Sequence, residues 1–268
     1  MKLNKLYKEL ILFFLYKIFK ILNGKDFRVD CLIIGAQKAG TSAIIEMLSQ
    51  HKQIIVPKKN KELYFFSQYY IPKNDYKKYH LNFIYNYFKK ITSRKKIFIE
   101  KTPDYYLKLK YLSRIYKYNP NIKIIFSIRN PFERILSSYL MFKRLGETEK
   151  WRKSESFYES VKNDMKNKSI NYLDFSLYYE KINNIYKVFP KKNILLINYN
   201  ELNKNYFKKK IFKFINKDLE INYIKLKKVH VSKKYNIPKK DISKTFNYIK
   251  KFINKDLNKL KRKYNIKF

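Results

Sequence analysis

Two of the chain's four glycines bracket one short loop, and this loop constrains the fold more than any other feature. It reads Gly35-Ala36-Gln37-Lys38-Ala39-Gly40-Thr41-Ser42. The apolar, β-branched run at 29–34 before it predicts a buried strand, and residues 43–48 after it have helical periodicity. A strand, a glycine-bounded loop and a helix form a unit that holds phosphate groups. The glycines let the backbone approach the anion, and the free N–H groups at the helix start point at it.

The loop keeps the glycine spacing of the P-loop pattern but departs from it at one position. Thr41 stands where that pattern has its lysine, and Lys38 lies inside the loop. In ATPases and GTPases that lysine must reach the β- and γ-phosphates from its own position. The departure therefore argues against both classes, and we expect this loop to hold a different phosphate anhydride.

Composition limits the classes of protein that the chain can belong to. Its 268 residues suit one large domain or two small ones, and a hydrophobic content of 45% excludes general disorder. The net charge of +41 invites a nucleic-acid function. However, heavy use of Lys, Asn, Ile, Tyr and Phe is what an AT-rich genome produces. We therefore expect most lysines to be solvated, and we expect no specific nucleic-acid partner. The positive electrostatic field of the chain nevertheless attracts anionic substrates and acidic membranes.

Cysteine and histidine are too scarce for a stabilising metal or disulfide framework. The single cysteine, Cys31, lies in the predicted buried strand, and the three histidines are far apart in sequence. We therefore predict no metal site.

The N-terminus is basic and partly apolar. The apolar run at 10–16 is flanked by lysines and is too short to span a membrane, and no signal-peptide cleavage site follows it. A basic helix that rests on a membrane surface, or one that packs on its own domain, fits better. We therefore divide the chain into an N-terminal helix at 1–25 and a domain at 26–268, and we expect a cytoplasmic protein, at the membrane surface if the helix binds lipid.

Strands and helices are predicted to alternate along the rest of the chain. The expected strands are 54–57, 96–100, 122–128 and 193–197, and the expected helices are 105–118, a helix starting at Asn130-Pro131, 178–188, 206–215 and 243–264. We interpret the polar stretch 146–170 as an excursion over the surface. This order predicts a three-layer α/β domain with a central parallel sheet, similar to P-loop NTPases.

Three predicted strands end in polar segments, at 37–42, 100–103 and 129–138. Ligands bind outside the carboxyl ends of parallel strands, so these segments are expected to converge on one crevice. Its donors would be Lys38, Thr41, Ser42, Lys101, Arg129 and Ser137. No magnesium-binding acid ends the strand 122–128. The crevice is therefore suited to a nucleotide with two separate phosphate groups.

Five segments resemble, in the same order, motifs of the sulfotransferases that use 3′-phosphoadenosine 5′-phosphosulfate (PAPS). The closest resemblance is to the Golgi-type heparan sulfate N- and 3-O-sulfotransferases. The segments are 33–43 (5′-phosphosulfate loop), 61–66 (catalytic glutamate), 100–106 (catalytic lysine), 128–139 (3′-phosphate site) and Ser176-Leu177-Tyr178 with Phe189-Pro190.

The resemblance implies the sulfotransferase fold and transfer of a sulfuryl group from PAPS to a hydroxyl or amine of an acceptor, expected to be a carbohydrate. The product is adenosine 3′,5′-bisphosphate (PAP), and no metal is needed. Glu62 would be the general base, while Lys38 and Lys101 would neutralise the departing phosphate. The implied donor-binding residues are Lys38, Ala39, Gly40, Thr41, Ser42, Arg129, Ser137, Tyr178 and Lys233.

The chain departs from the heparan enzymes near its C-terminus. Residues 232–238 keep a lysine and a proline of the loop that closes over the donor, but they lack its Gly, its Arg and both cysteines. It is therefore undecided whether Lys233 or Lys234 closes over the donor. The missing disulfide fits a reducing compartment.

Alternatives remain at this stage for the function and for single residues. The chain could be an atypical P-loop kinase, or a non-enzymatic basic protein that binds polyanions or membranes. His80 and His230 are the other candidate bases. Arg134 is interpreted as structural, paired with Glu133 or a neighbouring carboxylate. Tyr178 lies either beside the adenine or in the core.

Overall fold

The computed structural model describes residues 2–23, 28–57, 62–68, 76–89, 96–146, 156–202, 204–219, 221, 224 and 236–268. Its strands are β1 (Cys31–Gly35), β2 (Ile54–Ile55), β3 (Ile97–Lys101), β4 (Lys123–Ile128) and β5 (Ile194–Asn198). Its α-helices are α1 (Lys2–Asn23), α2 (Thr41–Ser49), α3 (Lys77–Lys89), α4 (Leu109–Tyr118), α5 (Pro131–Gly146), α6 (Phe157–Asn167), α7 (Tyr179–Val188), α8 (Asn205–Ile215) and α9 (Lys239–Tyr264).

The five described strands form one parallel sheet in the order β2-β3-β1-β4-β5. The predicted parallel α/β architecture is thereby confirmed. Strands β3, β1 and β4 are neighbours, so the polar segments that follow them leave the sheet side by side at its carboxyl edge. The predicted convergence of these three segments is therefore also found.

Helices cover both faces of the sheet because consecutive strand residues point to opposite sides. Leu32 and Ile34 of β1 join a core with residues of α3, α4 and α7. Cys31 and Ile33 join a second core with residues of α2 and α8. Two helical layers around one sheet give the three predicted layers.

The prediction of a surface excursion at 146–170 was wrong for residues 157–167, which form α6. Phe157 and Val161 are fully buried in a third apolar cluster with residues of α5 and α9. Asp241 of α9 accepts hydrogen bonds from the N–H groups of Phe157 (2.8 Å) and Tyr158 (3.0 Å). The helix start is thus capped twice, by the hydroxyl of its own Ser156, which accepts from the N–H of Glu159 at 3.2 Å, and by a carboxylate 84 residues away in sequence.

Helix α1 is attached to the domain near its C-terminal end. Phe19 is buried, and its ring packs edge-on against Tyr87 at 5.0 Å and Phe98 at 5.9 Å. Phe14 and Ile21 remain 64% and 78% exposed. Among the helices that the structure describes, none is long and apolar enough to cross a membrane.

Candidate active site

The phosphate-type loop between β1 and α2 is held in shape by strand β4. The N–H of Ala36 donates to the Ser127 carbonyl (2.6 Å), and the Ser127 hydroxyl donates to the Ala39 carbonyl (2.6 Å). Gly40 has φ 81°, and a Cβ there would lie 2.3 Å from Leu202 Cδ1. Only glycine fits this position without strain. The first N–H groups of α2 lie at the carboxyl edge of the sheet and, as at the start of any helix, have no partner within the helix.

Positive charge is concentrated around this loop. Lys38 has a left-handed backbone with φ 69° and a partly buried side chain. Burial, followed by the charges of Arg144, Arg129 and Arg134, lowers the pKa of Lys38. A bound anion would relieve this repulsion. The donor set therefore fits a nucleotide that carries several negative charges.

Lys101, at the end of β3, joins the predicted base to the loop. Its ammonium donates to Glu62 Oε1 at 2.7 Å and to Ser42 Oγ at 3.3 Å. The Lys101 side chain is only 7% exposed, whereas that of Glu62 is 28% exposed. The structure thus brings together two of the three predicted catalytic residues, Glu62 and Lys101, and one predicted donor-binding residue, Ser42.

Tyr64 also contacts the predicted base, although the sequence analysis assigned it no role. Its phenol donates a hydrogen bond to Glu62 Oε2. Tyr64 is 42% exposed and has φ 53°, a conformation that is uncommon for a bulky residue. Each carboxylate oxygen of Glu62 thus accepts a hydrogen bond, Oε1 from Lys101 and Oε2 from Tyr64.

Arg129 follows β4 and has two side-chain partners in the structure. Its Nε donates to Glu133 Oε2 at 3.1 Å. Its guanidinium also lies 4.5 Å from the centre of the Tyr199 ring. Asn130 caps α5 as predicted, because its Oδ1 accepts from the N–H groups of the second and third helical residues (3.0 and 3.3 Å).

Ser137 is partly buried on α5, the helix that follows Arg129. Its contact with a 3′-phosphate, together with that of Arg129, stays a prediction. Arg129 lies in the β4–α5 connection, with its Nη1 3.5 Å from the Lys38 carbonyl of the phosphate-type loop, whereas Ser137 lies within α5.

Arg134 is a buried structural residue, but not through the predicted carboxylate. Its guanidinium donates to the carbonyls of Gln37 (3.1 Å) and Tyr172 (2.9 Å) and to Ser176 Oγ (3.1 Å). Glu133 pairs with Arg129 instead. Arg134 therefore fixes the phosphate-type loop to the segment that precedes α7.

Tyr178 is fully buried, and burial raises its pKa to about 12. Its ring packs edge-on against Phe126, with 6.1 Å between centroids. Its N–H donates to Asp256 of α9 at 2.9 Å, so it is fixed at the start of α7. These contacts are those of a core tyrosine, and the contact with adenine stays a prediction.

The remaining candidates contribute little to the described crevice. His80 is buried among aromatic rings, and its Nε2 lies 3.1 Å from Tyr118 Oη. Lys233, Lys234 and His230 lie outside the described residues. Within the described ranges, no three His, Cys, Asp or Glu side chains gather where they could hold a metal ion.

A glycine-bounded loop and a helix start at the carboxyl edge of a parallel sheet are the features of P-loop-like domains, a class in which this edge is suited to phosphate groups. Residues 28–265 match the sulfotransferase domain family. The chain belongs to this family, as its sequence motifs indicated.

The curated proteins and solved structures that are similar to the chain include the following three. The heparan sulfate glucosamine 3-O-sulfotransferase 5 proteins of Mus musculus and Homo sapiens are each 31% identical to it over 131 residues. This match spans 49% of the chain and only 34% of either relative. The crystal structure of a sulfotransferase from Alicyclobacillus acidocaldarius has a TM-score of 0.66 and 20% identity, covering 90% of this chain and 98% of that one. That similarity establishes the fold.

Proposed function

We propose that the protein transfers a sulfuryl group from PAPS to a hydroxyl or amine of a carbohydrate. The observation that carries the proposal is the position of Lys101, whose ammonium contacts both Glu62 and Ser42. One side chain thus joins a candidate base to the loop suited to phosphate. Family membership supplies the reaction class.

Two groups of residues would bind the donor. The loop 38–42 and the helix start would hold the 5′-phosphosulfate through backbone N–H groups and the Lys38 ammonium. Arg129 and Ser137 would hold the 3′-phosphate with a charge-assisted contact and a hydroxyl. PAPS supplies the activated sulfuryl group when it is bound.

The chain's own catalytic groups would move one proton and stabilise developing charge. Glu62 would take the proton of the acceptor hydroxyl or amine, which is a poor nucleophile while protonated. Lys101 and Lys38 are fixed cations, so they would stabilise the negative charge that develops on the departing phosphate. An acceptor of the carbohydrate class is supported by the names of the two relatives, and the chain's charge of +41 favours an anionic acceptor.

PAP is expected to raise the Tm of the protein, whereas ATP with magnesium raises it little or not at all. A ligand that binds only the folded state at a concentration of 100 Kd stabilises it by about 2.7 kcal/mol. The site is expected to prefer PAP because it has separate positions for a 3′- and a 5′-phosphate. Thermal unfolding with each ligand measures this. Equal stabilisation by both ligands would contradict a dedicated 3′-phosphate site and would favour the kinase alternative.

We also propose that α1 holds the enzyme against the cytoplasmic surface of an anionic membrane. The support is its exposed apolar residues, including Phe14 and Ile21, on a lysine-rich helix.

The double variant Phe14→Ser, Ile21→Ser is expected to co-sediment less with phosphatidylglycerol vesicles, and its remaining binding should weaken with salt. This variant keeps Phe19, so the attachment of α1 to the core is preserved. Unchanged sedimentation of the variant would show that the basic domain, and not α1, binds lipid.

A further inference from the structure

The segment that carries Glu62 is held by side chains rather than by the sheet. We call residues 62–68 the base segment. Thr102 Oγ1 accepts hydrogen bonds from the N–H groups of Leu63 (3.1 Å) and Tyr64 (3.3 Å), the two residues after the base. Tyr105 Oη accepts from the N–H of Phe66 at 3.4 Å. The position of Glu62 therefore depends on the connection between β3 and α4.

Thr102 can accept both hydrogen bonds because its own proton is directed elsewhere. A threonine hydroxyl has one proton and two lone pairs. Its proton is donated to Glu100 Oε1, which leaves both lone pairs for the amides of Leu63 and Tyr64. Thr102 and Glu100 are both completely buried, so no water competes for these bonds.

Glu100 is fixed in turn by α3. Tyr79 Oη donates to Glu100 Oε2 at 3.1 Å and the Thr102 hydroxyl donates to Oε1, and the N–H of Leu63 and the hydroxyl of Tyr105 also interact with this carboxylate. Burial raises the pKa of Glu100 to about 7, and the hydrogen bonds from Thr102 and Tyr79 counteract part of this shift. A buried carboxyl is costly, and the mechanism proposed above gives it no role.

We propose that Thr102 is a positioning residue for the base, and that Glu100 orients the Thr102 hydroxyl for this purpose. The proposal rests on the sulfotransferase function proposed above. Neither residue touches the substrate. Together they fix the backbone after Glu62, so that its carboxylate meets Lys101 on one side and the acceptor on the other.

Thr102→Val is expected to lower kcat about 10- to 100-fold and to leave the Kd for PAP unchanged. Valine has nearly the shape of threonine but accepts no hydrogen bond, so the two amides lose their partner and the base segment shifts. A displacement on the order of 1 Å can cost this much in rate. Thr102→Ser keeps the hydroxyl and is expected to restore most of the turnover.

Tyr79→Phe is the matched control, because it removes a different hydrogen bond to Glu100 while its ring can keep the packing on Phe65 (4.7 Å) and Phe66 (5.3 Å) of the base segment. It is expected to lower the Tm and to keep kcat near the wild-type value.

Glu100→Gln tests whether Glu100 orients the Thr102 hydroxyl. Glu100→Gln should change kcat little when Thr102→Val is already present, because the effects of substitutions at coupled residues are not additive.

Hydrogen exchange provides a readout that does not depend on turnover. The amides of Leu63 and Tyr64 are expected to exchange faster in Thr102→Val than in the wild type or in Tyr79→Phe. The proposal is overturned if folded Thr102→Val keeps its kcat, if Tyr79→Phe loses as much kcat as Thr102→Val, or if exchange at 63–64 is unchanged. Absence of sulfuryl transfer in the wild type, with the expected exchange pattern, would instead contradict the proposed function and leave Thr102 as the residue that holds this segment.

Discussion

Glu62→Gln is expected to slow sulfuryl transfer by about 10²- to 10⁴-fold, which is the contribution of a positioned general base. Glutamine has the size of glutamate and an oxygen that can still accept from Lys101, but it does not take a proton from the acceptor. The Kd for PAP should be nearly unchanged, because Glu62 contacts Lys101 and Tyr64 rather than the loop 38–42. Transfer rates and calorimetry with PAP, measured on the same protein, test both statements.

A matched control separates this effect from a general change in charge. Glu180 is exposed on α7, and Glu180→Gln should leave the transfer rate unchanged. Near-normal turnover in Glu62→Gln would move the base elsewhere. His80, the other candidate within the described residues, is buried against Tyr118, so it would have to move to reach an acceptor.

Arg129→Ala is expected to weaken PAP binding by about 10- to 100-fold, because a hydrogen bond to a charged group contributes about 1.5–3 kcal/mol. AMP lacks the 3′-phosphate, so its affinity should change much less in the same variant. Calorimetry with both nucleotides on the wild type and the variant measures the difference.

The partner of Arg129 offers a second control. Glu133→Gln removes the ion pair but keeps the guanidinium, and PAP affinity should be retained or slightly increased. The pair is partly exposed, at 21% and 49% for the two side chains, and such pairs contribute little to stability. Equal losses of PAP and AMP affinity in Arg129→Ala would contradict the assignment of Arg129 to the 3′-phosphate.

The sequence was sufficient to predict which strand ends meet at the candidate site. The loop 35–42 has a local pattern of glycines between a strand and a helix, and parallel strands place their carboxyl ends at one edge. Lys101 and Arg129 could therefore be placed beside this loop before their contacts were known. The ion pair between Lys101 and Glu62 supports the grouping of the catalytic candidates.

Contacts between distant parts of the chain could not be predicted. Helix α6 has a local start signal, Ser156 followed by Glu159, that the sequence analysis overlooked, whereas its second cap, Asp241, belongs to α9 and has no local pattern. The hydrogen bonds from Leu63 and Tyr64 to Thr102 join positions 39 and 38 residues apart. The pairing of Arg129 with Glu133 could have been found, because residues four apart on a helix are neighbours.

Transfer of ³⁵S from labelled PAPS to a panel of glycans tests the central claim most directly. The panel should include neutral and anionic polysaccharides, with the surface glycans of the source cell among them. We expect label in at least one carbohydrate with the wild-type protein and almost none with Glu62→Gln. A protein that binds PAP tightly but labels no carbohydrate in the panel would contradict the proposed acceptor class. Label that appears equally with Glu62→Gln would contradict the proposed site.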